Sequence, residues 1–181
     1  MQLVYALRDL NNGSETMSES KYSVLFICVG NSARSIFAES ILRKSAGDRF
    51  DAYSAGTRPG SQLHPFAVQV LNDKGHDIST LYSKDISEFM APSAPKFNFV
   101  FTVCDHAEDE YCAAWEGQPI TAHWGTKDPV KADGNDAQKA LAFQEAYGAL
   151  KQRIDLFTSL NKATLSQLDI QKSVHEIDKE I

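Results

Sequence analysis

The chain has 181 residues, of which 43% are hydrophobic and 23% are charged, and its formal net charge is −6. This length and composition predict one domain with a packed core, and the negative charge argues against nucleic acid or a membrane surface as a partner. No apolar run reaches the length of a membrane span, and the first residues show no secretory signal pattern. Three cysteines suit a reducing compartment better than a disulfide framework, so we expect a cytoplasmic protein.

Hydrophobic periodicity and turn residues predict alternating strands and helices along the chain. Residues 1–21 include a polar, turn-like stretch and are expected to form a flexible N-terminal extension. The tail at 161–181 has apolar residues at helical spacing and is expected to pack on the domain as a helix. This alternation predicts an α/β fold with a parallel sheet and helices on both faces. Strands are predicted at 23–27, 50–54, 97–103 and 119–124, and helices at 65–72, 85–90 and 136–160, with one more helix that follows the first strand and ends near Gly47.

The most informative segment follows the first strand. It is predicted to be a tight loop that opens a helix, and the backbone N–H groups of such a loop can all point inward. Gly30 allows close approach to a ligand, and Asn31 tolerates a left-handed backbone. Arg34 can hold two oxygens of a tetrahedral oxyanion with its planar guanidinium. We therefore predict an oxyanion site formed by Val29, Gly30, Asn31, Ser32, Ala33, Arg34 and Ser35.

Cys28 is predicted to be the nucleophile of this site. The thiolate is the nucleophilic form of cysteine, and a helix N-terminus and a nearby guanidinium both stabilise it. Ser35 can donate a hydrogen bond to the sulfur. Ligands of parallel α/β sheets bind at the carboxyl ends of the strands, where the first strand places Cys28.

Four segments appear in the order seen in low-molecular-weight protein tyrosine phosphatases, and the chain resembles that family and, within it, the arsenate reductases. They are 28–35, 53–57, 103–112 and 123–129, the last of which reads His-Trp-Gly-Thr-Lys-Asp-Pro. The resemblance implies a four-stranded parallel sheet, a catalytic domain at 22–160, Cys28 as nucleophile and Asp128 as general acid. Pro129 agrees with the last role, because it favours an extended backbone at Asp128 and so places this residue in a loop.

Two features favour reduction of a small oxyanion over hydrolysis of phosphotyrosine. Phosphatases of this fold carry aromatic side chains around the phenyl ring, whereas here Asp128-Pro129 is followed by Val-Lys and the loop 57–64 has no Phe, Tyr or Trp. In addition, Cys104 ends the third strand and Cys112 follows in a polar segment. Both cysteines are therefore expected to do redox chemistry with Cys28.

The resemblance implies a cycle in which arsenate forms an adduct with Cys28 and is released as arsenite when a Cys28–Cys104 disulfide forms. Cys112 then attacks Cys104 and leaves a Cys104–Cys112 disulfide, by successive thiolate attacks. No bound cofactor is expected. An external thiol system, either thioredoxin or glutaredoxin with glutathione, is the expected reductant and partner.

Two other classes of function remain open. A low-molecular-weight phosphatase for tyrosine or small-molecule substrates would use the same Cys28, Arg34 and Asp128 and leave Cys104 idle. A phosphocysteine carrier of a sugar-transport relay is disfavoured by the Asp-Pro acid and the full Arg-Ser motif. A zinc site from Cys104, His106, Cys112 and His123 has the right ligand types but no standard spacing, so we assign no metal.

Arsenate reductases of the family often hold a potassium ion near the loop. Asn31, Glu39 and Ser54 match positions that contribute to that ion site, whereas a further acidic ligand of some members is replaced here by Lys84. Because a lysine ammonium can stand in for a monovalent cation, we predict that Lys84 lies near Glu39 and that activity does not require potassium.

Overall fold

The computed structural model describes residues 20–105, 119–160 and 170–179. Within these residues it has four strands and four α-helices, and the long helix ends one residue from its predicted boundary. The elements in chain order are β1 (Tyr22–Cys28), α1 (Arg34–Ala46), β2 (Phe50–Gly56), α2 (Pro65–Asp73), β3 (Phe99–Thr102), β4 (Ile120–His123), α3 (Asp136–Ser159) and α4 (Ile170–Glu176).

The four strands form one parallel sheet with the order β2-β1-β3-β4. Ile27 of β1 pairs with Ala55 of β2 on one side and with Thr102 of β3 on the other. The carboxyl ends of all four strands therefore meet at one edge, and Cys28 is the last residue of the central strand β1. The predicted fold class is confirmed.

The core explains why β1 reads as an unbroken apolar run. Val24 to Cys28 are all buried, because β1 has a strand on each side and covered faces above and below. One face packs against α1, α2 and α3, with Phe26, Phe101 and Trp124 among its largest buried side chains. The other face is covered by a smaller apolar cluster that includes Phe97 and the 3₁₀ helix Ile86–Phe89, within the predicted short helix.

The strand bounds differ from the predicted ones by one or two residues, and β2 extends furthest past its predicted end. It was predicted to end at residue 54, before Ala55-Gly56, but the strand includes both of these residues and pairs Gly56 with Cys28. Gly56 also donates its N–H to the Lys84 carbonyl at 2.8 Å. The missing side chain is what allows this extension, because a Cβ at Gly56 would lie 2.7 Å from the Val29 carbonyl oxygen.

The described residues include only part of the two predicted terminal segments. Residues 1–19, most of the predicted N-terminal extension, lie outside the described residues. In the tail, α4 contacts β4, and Val174 and Ile177 are buried. None of the helices in the described ranges combines the length and apolarity needed to cross a membrane.

Candidate active site

The loop between β1 and α1, residues 28–35, is called the oxyanion loop here. Its carbonyl groups are turned outward by a second loop, residues 57–64, which supplies backbone N–H donors. Cys28 O accepts from Thr57 N at 3.1 Å, and three further carbonyls of the oxyanion loop accept from N–H groups of the second loop at 2.9–3.0 Å. Because these carbonyls are bound on the outside, the loop can present its N–H groups to a ligand inside. These three bonds are Arg58 N to Val29 O, Gly60 N to Gly30 O and His64 N to Ser32 O.

Cys28 receives hydrogen bonds from within the loop. Its Sγ accepts from Asn31 N at 3.2 Å and lies 2.9 Å from Ser35 Oγ. Asn31 Nδ2 donates to the same Ser35 Oγ at 2.7 Å, which leaves the serine hydroxyl hydrogen available to the sulfur. Asn31 has φ of 43°, a left-handed conformation that asparagine tolerates better than most residues. Ala33, the residue before α1, has no acceptor to cap the helix, so the first-turn N–H groups are available to an anion.

Arg34 is buried at the start of α1 and pairs with two carboxylates. Its Nη1 donates to Asp105 Oδ1 and, at 3.0 Å, to the Thr126 carbonyl. Its Nη2 lies 2.9 Å from Asp128 Oδ2. The structure thus brings together the predicted nucleophile loop and the predicted acid, and it adds Asp105, to which the sequence analysis gave no role.

Asp105 connects Arg34 to the segment that carries Asp128. Its second carboxylate oxygen accepts from Asp128 N at 3.2 Å. Burial alone would raise the pKa of Asp105, but the Arg34 guanidinium and the hydrogen bond from Asp128 outweigh burial and lower this pKa below its usual range. Asp105 is therefore ionised at neutral pH and neutralises part of the Arg34 charge.

A buried polar network extends from Asn31 away from Cys28. Asn31 Nδ2 donates to Ser54 Oγ at 2.9 Å, and Ser54 Oγ donates to Glu39 Oε2 at 2.5 Å. Lys84 Nζ lies 3.2 Å from the same Glu39 oxygen, and Lys84 N donates to Asn31 Oδ1 at 2.7 Å. The predicted proximity of Lys84 and Glu39 is confirmed. Because Asn31 contacts both this network and Ser35, the network fixes the shape of the oxyanion loop.

Cys104 is at the same edge of the sheet as Cys28. The register pairs Ile27 with Thr102, so Cys28 is one residue past the last pair and Cys104 is two residues past it on the adjacent strand. Cys104 is buried, and its carbonyl accepts from Thr126 N at 3.1 Å. Neither Cys28 nor Cys104 is in a disulfide.

The other residues considered from the sequence at this edge, as redox thiol or as an alternative zinc site, lie partly outside the described residues. Cys112 and His106 lie outside the described residues. His123 ends β4, and its Nδ1 lies 2.9 Å from Thr102 Oγ1. Among the described residues there is no cluster of His, Cys, Asp or Glu that could hold a metal ion.

The cavity at the oxyanion loop is small, about 160 Å³. Asp128 and Val130 line it together with residues 28–34 of the loop, and none of these described lining residues is aromatic. Beside it, His64 stacks on Phe143 with ring centroids 4.5 Å apart. Burial lowers the pKa of His64, and the nearby Asp128 charge offsets this only in part, so the imidazole is neutral at pH 7. The cavity suits a compact oxyanion.

Three features of this site were not assigned from the sequence. They are Asp105, the N–H donors of residues 57–64 and Gly56. Asp105 carried a usable signal, since an acidic residue directly after a strand that ends at the carboxyl edge can reach an arginine there. The donors of 57–64 are backbone groups, which a side-chain pattern does not reveal.

A parallel four-stranded sheet with a Cys-x5-Arg-Ser loop after its central strand places the protein in the phosphatase-like class of oxyanion-binding α/β proteins. The chain belongs to the low molecular weight phosphotyrosine protein phosphatase family, whose model matches residues 23–167. The resemblance stated from the motifs is confirmed.

Relatives within this family carry a more specific name. The chain is 36% identical to an arsenate reductase of Halalkalibacterium halodurans over 143 residues, which is 79% of this chain and 99% of the relative. It is 32% identical to an arsenate reductase of Bacillus subtilis, over 77% of this chain and 96% of the relative.

Solved structures give the same result. An arsenate reductase in its phosphate-binding state matches with a TM-score of 0.60 and 27% identity, over 74% of this chain and 94% of that one. A thioredoxin-dependent arsenate reductase of Corynebacterium glutamicum matches with a TM-score of 0.57 and 26% identity, over 82% of this chain and 65% of that one.

Proposed function

We propose that this protein reduces arsenate to arsenite with Cys28 as nucleophile and an external dithiol as the source of electrons. The observation that carries the proposal is the placement of a second buried thiol, Cys104, two residues past the end of β3, the strand next to the one that leads into the oxyanion loop. The names of the relatives support the same reaction. A hydrolase needs Cys28, Arg34 and Asp128 but has no use for Cys104.

In the first step, the Cys28 thiolate attacks arsenic and one oxygen leaves as water. Arg34 and the loop N–H groups hold the other oxygens, because a planar guanidinium and inward N–H donors match a tetrahedral oxyanion. Asp128 gives its proton to the departing oxygen. The product is a Cys28–S–As(V) adduct, in which arsenic is not yet reduced.

In the second step, the Cys104 thiolate attacks Cys28 Sγ. The new S–S bond forms as the S–As bond breaks, and the electron pair of the broken bond stays on arsenic, which becomes As(III) and leaves as arsenite. The two thiols lose the two electrons that arsenic gains. The hydrogen bonds to Cys28 Sγ from Asn31 N and Ser35 stabilise Cys28 again when a later step returns it as a thiolate.

In the third step, Cys112 attacks Cys104 and releases Cys28, and the Cys104–Cys112 disulfide is reduced from outside. Thioredoxin is the reductant favoured by the similarity to the thioredoxin-dependent enzyme of Corynebacterium glutamicum, and glutaredoxin with glutathione is the other candidate. A cycle that passes through free thiols needs a reducing compartment, so we propose that the protein acts in the cytoplasm.

A phosphatase reaction at the same site is the second candidate. It is favoured by the family itself, which is named for phosphotyrosine phosphatases. It would use Cys28, Arg34 and Asp128 in the roles described for the first step, with water in place of Cys104 as the second nucleophile. The small cavity, lined by Val130 where a phosphotyrosine would need an aromatic neighbour, favours the oxyanion over the phosphoester.

The test compares arsenate-dependent thiol oxidation with nitrophenyl phosphate hydrolysis in wild type and in Cys28→Ser, Cys104→Ser and Cys112→Ser. Cys28→Ser is expected to lose both activities. Cys104→Ser and Cys112→Ser are expected to lose multiple-turnover arsenate reduction and to keep any hydrolysis. Full arsenate turnover by Cys104→Ser would rule out the three-thiol cycle, and either activity in Cys28→Ser would rule out the site.

A further inference from the structure

The segment that carries Asp128, residues 124–132, is called the acid loop here, and it is held from behind by a buried arginine. Arg153 of α3 donates from Nη2 to the Gly125 carbonyl at 2.9 Å. The same guanidinium pairs with Asp178, at 3.1 Å from Nη2 and 3.3 Å from Nε. Arg153 is only 6% exposed, so its charge depends on these partners for stabilisation.

The partner of Arg153 comes from a part of the chain beyond the family match. The family model ends at residue 167, whereas Asp178 lies in the 3₁₀ helix Ile177–Lys179 that follows α4. A second contact reaches the acid loop from the same segment, because Trp124 Nε1 donates to the Val174 carbonyl at 3.0 Å. Val174 is fully buried. The C-terminal segment 170–179 thus holds the acid loop at Trp124 directly and at Gly125 through Arg153.

The contacts on the other side of the acid loop come from groups that take part in the proposed reaction. Thr126 N donates to the Cys104 carbonyl, and Thr126 O and the Asp128 carboxylate contact Arg34. Disulfide formation displaces Cys104, and a bound oxyanion competes with Asp128 for Arg34. These contacts change during turnover, whereas the contact of Arg153 with Gly125 involves no reacting group.

Packing alone does not fix the loop from behind. A cavity of about 250 Å³ lies between the acid loop and α3. It is lined on the loop side by Gly125 to Pro129 and on the helix side by small residues such as Ala142 and Ala146, with Arg153 at its wall. Where this open pocket separates the acid loop from α3, their side chains are not in close contact. The Arg153 hydrogen bond is therefore the directed contact on this side of the loop.

We propose that Arg153 and Asp178 are positioning residues for the general acid. In this proposal, the C-terminal segment 170–179 keeps the acid loop in place while the contacts of the loop with Cys104 and Arg34 break and form. The proposal rests on the proposed function for its kinetic consequence only. Arg153 fixes the position of the Gly125 carbonyl by its hydrogen bond, and Gly125 precedes Asp128 by only three residues. Asp178 neutralises Arg153 and so stabilises the guanidinium in its buried position.

The test uses the full chain with Asp178→Ala and a matched control, Asp155→Ala. Asp155 pairs with Lys151 on the exposed side of the same helix α3, so the control also removes one carboxylate from an ion pair. Asp178→Ala is expected to lower arsenate turnover by roughly ten- to a hundredfold, because small misplacements of a reacting group cost rate on this scale. Inorganic phosphate is expected to bind with an unchanged dissociation constant, because the oxyanion loop does not contact Asp178.

Hydrogen exchange of the acid loop gives a readout that does not depend on activity. Amides of residues 124–132 are expected to exchange several times faster in Asp178→Ala and in Arg153→Lys than in wild type and in Asp155→Ala. Asp178→Glu, which keeps the carboxylate, is expected to recover part of both turnover and protection. These variants are compared at temperatures at which their circular dichroism matches that of wild type.

The proposal is overturned if Asp178→Ala exchanges its acid-loop amides like wild type, or if turnover and phosphate binding fall together, which would indicate a general loss of structure. Absence of arsenate turnover in the wild type would instead count against the proposed function. In that case the exchange measurement still decides whether Arg153 and Asp178 position the acid loop.

Discussion

Arg34 is the residue at which, under the proposed mechanism, oxyanion binding and acid catalysis compete. Its Nη2 lies 2.9 Å from the Asp128 carboxylate, and its Nη1 is held by Asp105 and Thr126. An oxyanion that takes up Nη2 displaces the Asp128 carboxyl group from Arg34 and leaves it beside the bound anion. In this account, binding of the anion at Arg34 frees Asp128 to act as the general acid.

Asp128→Asn tests this link. The asparagine amide oxygen can still accept from Val130 N, as Asp128 Oδ1 does at 3.1 Å, so the 3₁₀ helix Pro129–Lys131 is expected to keep its cap. Turnover is expected to fall about a hundredfold or more, the usual contribution of general acid catalysis. Phosphate binding is expected to become tighter, because a negative charge beside the anion is removed.

The measurement is turnover together with calorimetric phosphate titration, and the matched control is Asp133→Asn, an exposed carboxylate nearby in the chain. The control is expected to leave both quantities unchanged. Weaker phosphate binding in Asp128→Asn would contradict the competition at Arg34.

Lys84 is the second residue with a distinct prediction. Lys84 and Glu39 are both at most 5% exposed and lie 3.2 Å apart. Glu39 also pairs with Arg43 at its other oxygen, so Lys84→Met removes one of two cations and a buried charged hydrogen bond, and it is expected to lower the free energy of unfolding by about 2 kcal/mol. Because the wild-type ammonium already neutralises Glu39, wild-type turnover is expected to be equal in potassium chloride and in tetramethylammonium chloride at the same ionic strength. Activation of the wild type by potassium would contradict this account.

At the scale of elements, the oxyanion loop depends on the loop 57–64 and on the end of β2. Gly56 is the contact point, since an added Cβ would lie 2.7 Å from Val29 O and about 3 Å from Asn31. Gly56→Ala is expected to destabilise the fold by about 1–3 kcal/mol. It is also expected to weaken phosphate binding, because the displaced atoms belong to the oxyanion loop.

Gly148→Ala is the matched control for this substitution. Gly148 lies in α3, and a Cβ there has no heavy atom within 4 Å. An alanine inside a helix is expected to stabilise the protein by about 0.5–1 kcal/mol and to leave phosphate binding unchanged. Chemical denaturation and phosphate titration of both variants check the pair. Normal phosphate binding by Gly56→Ala would show that the oxyanion loop does not need this close approach.

Elements were predictable from the sequence where a local pattern decides them. β1, α1 and α3 have long apolar or helical patterns, and α3 carries a capping box between Asn135 and Gln138. Asn31 was noted as a residue that tolerates a left-handed backbone, and it adopts one. The end of β2 was not predictable, because Ala55-Gly56 reads locally as a stop and only contact with the loop at Val29 shows why the strand continues. The roles of Asp105 and Arg153 also depend on contacts between distant segments.

At the scale of the whole molecule, His76 joins three parts of the fold. Its Nδ1 lies 2.8 Å from Ser40 Oγ in α1, and its Nε2 lies 2.7 Å from the Tyr147 hydroxyl in α3. Burial lowers the pKa of His76, and the positive charge of Lys44 lowers it further. The folded protein therefore holds this imidazole neutral at pH values where the unfolded chain would bind a proton.

The sign of the pH effect follows from this shift. The contribution of neutral His76 to the free energy of unfolding is fully present above the pKa of histidine in the unfolded chain, about 6.5. It is lost as the pH falls through that value toward the lower pKa of His76 in the folded protein. We expect the free energy of unfolding to decrease between pH 7.5 and pH 5.5, and to decrease less in His76→Gln. His64 has a lowered pKa as well, so a residual slope of the same sign is expected in the variant. Equal slopes in wild type and His76→Gln, measured by denaturation at several pH values, would contradict this role.

The molecule as a whole presents two thiols at one edge of a parallel sheet beside an oxyanion loop, and the central claim is that arsenic takes its electrons from them. The direct measurement is a single turnover of Cys112→Ser with excess arsenate, in which arsenite is quantified and disulfides are mapped by mass spectrometry. The account predicts one arsenite per protein together with a Cys28–Cys104 disulfide. Arsenite release without that disulfide, or the same yield from a Cys104→Ser, Cys112→Ser double variant, would contradict it.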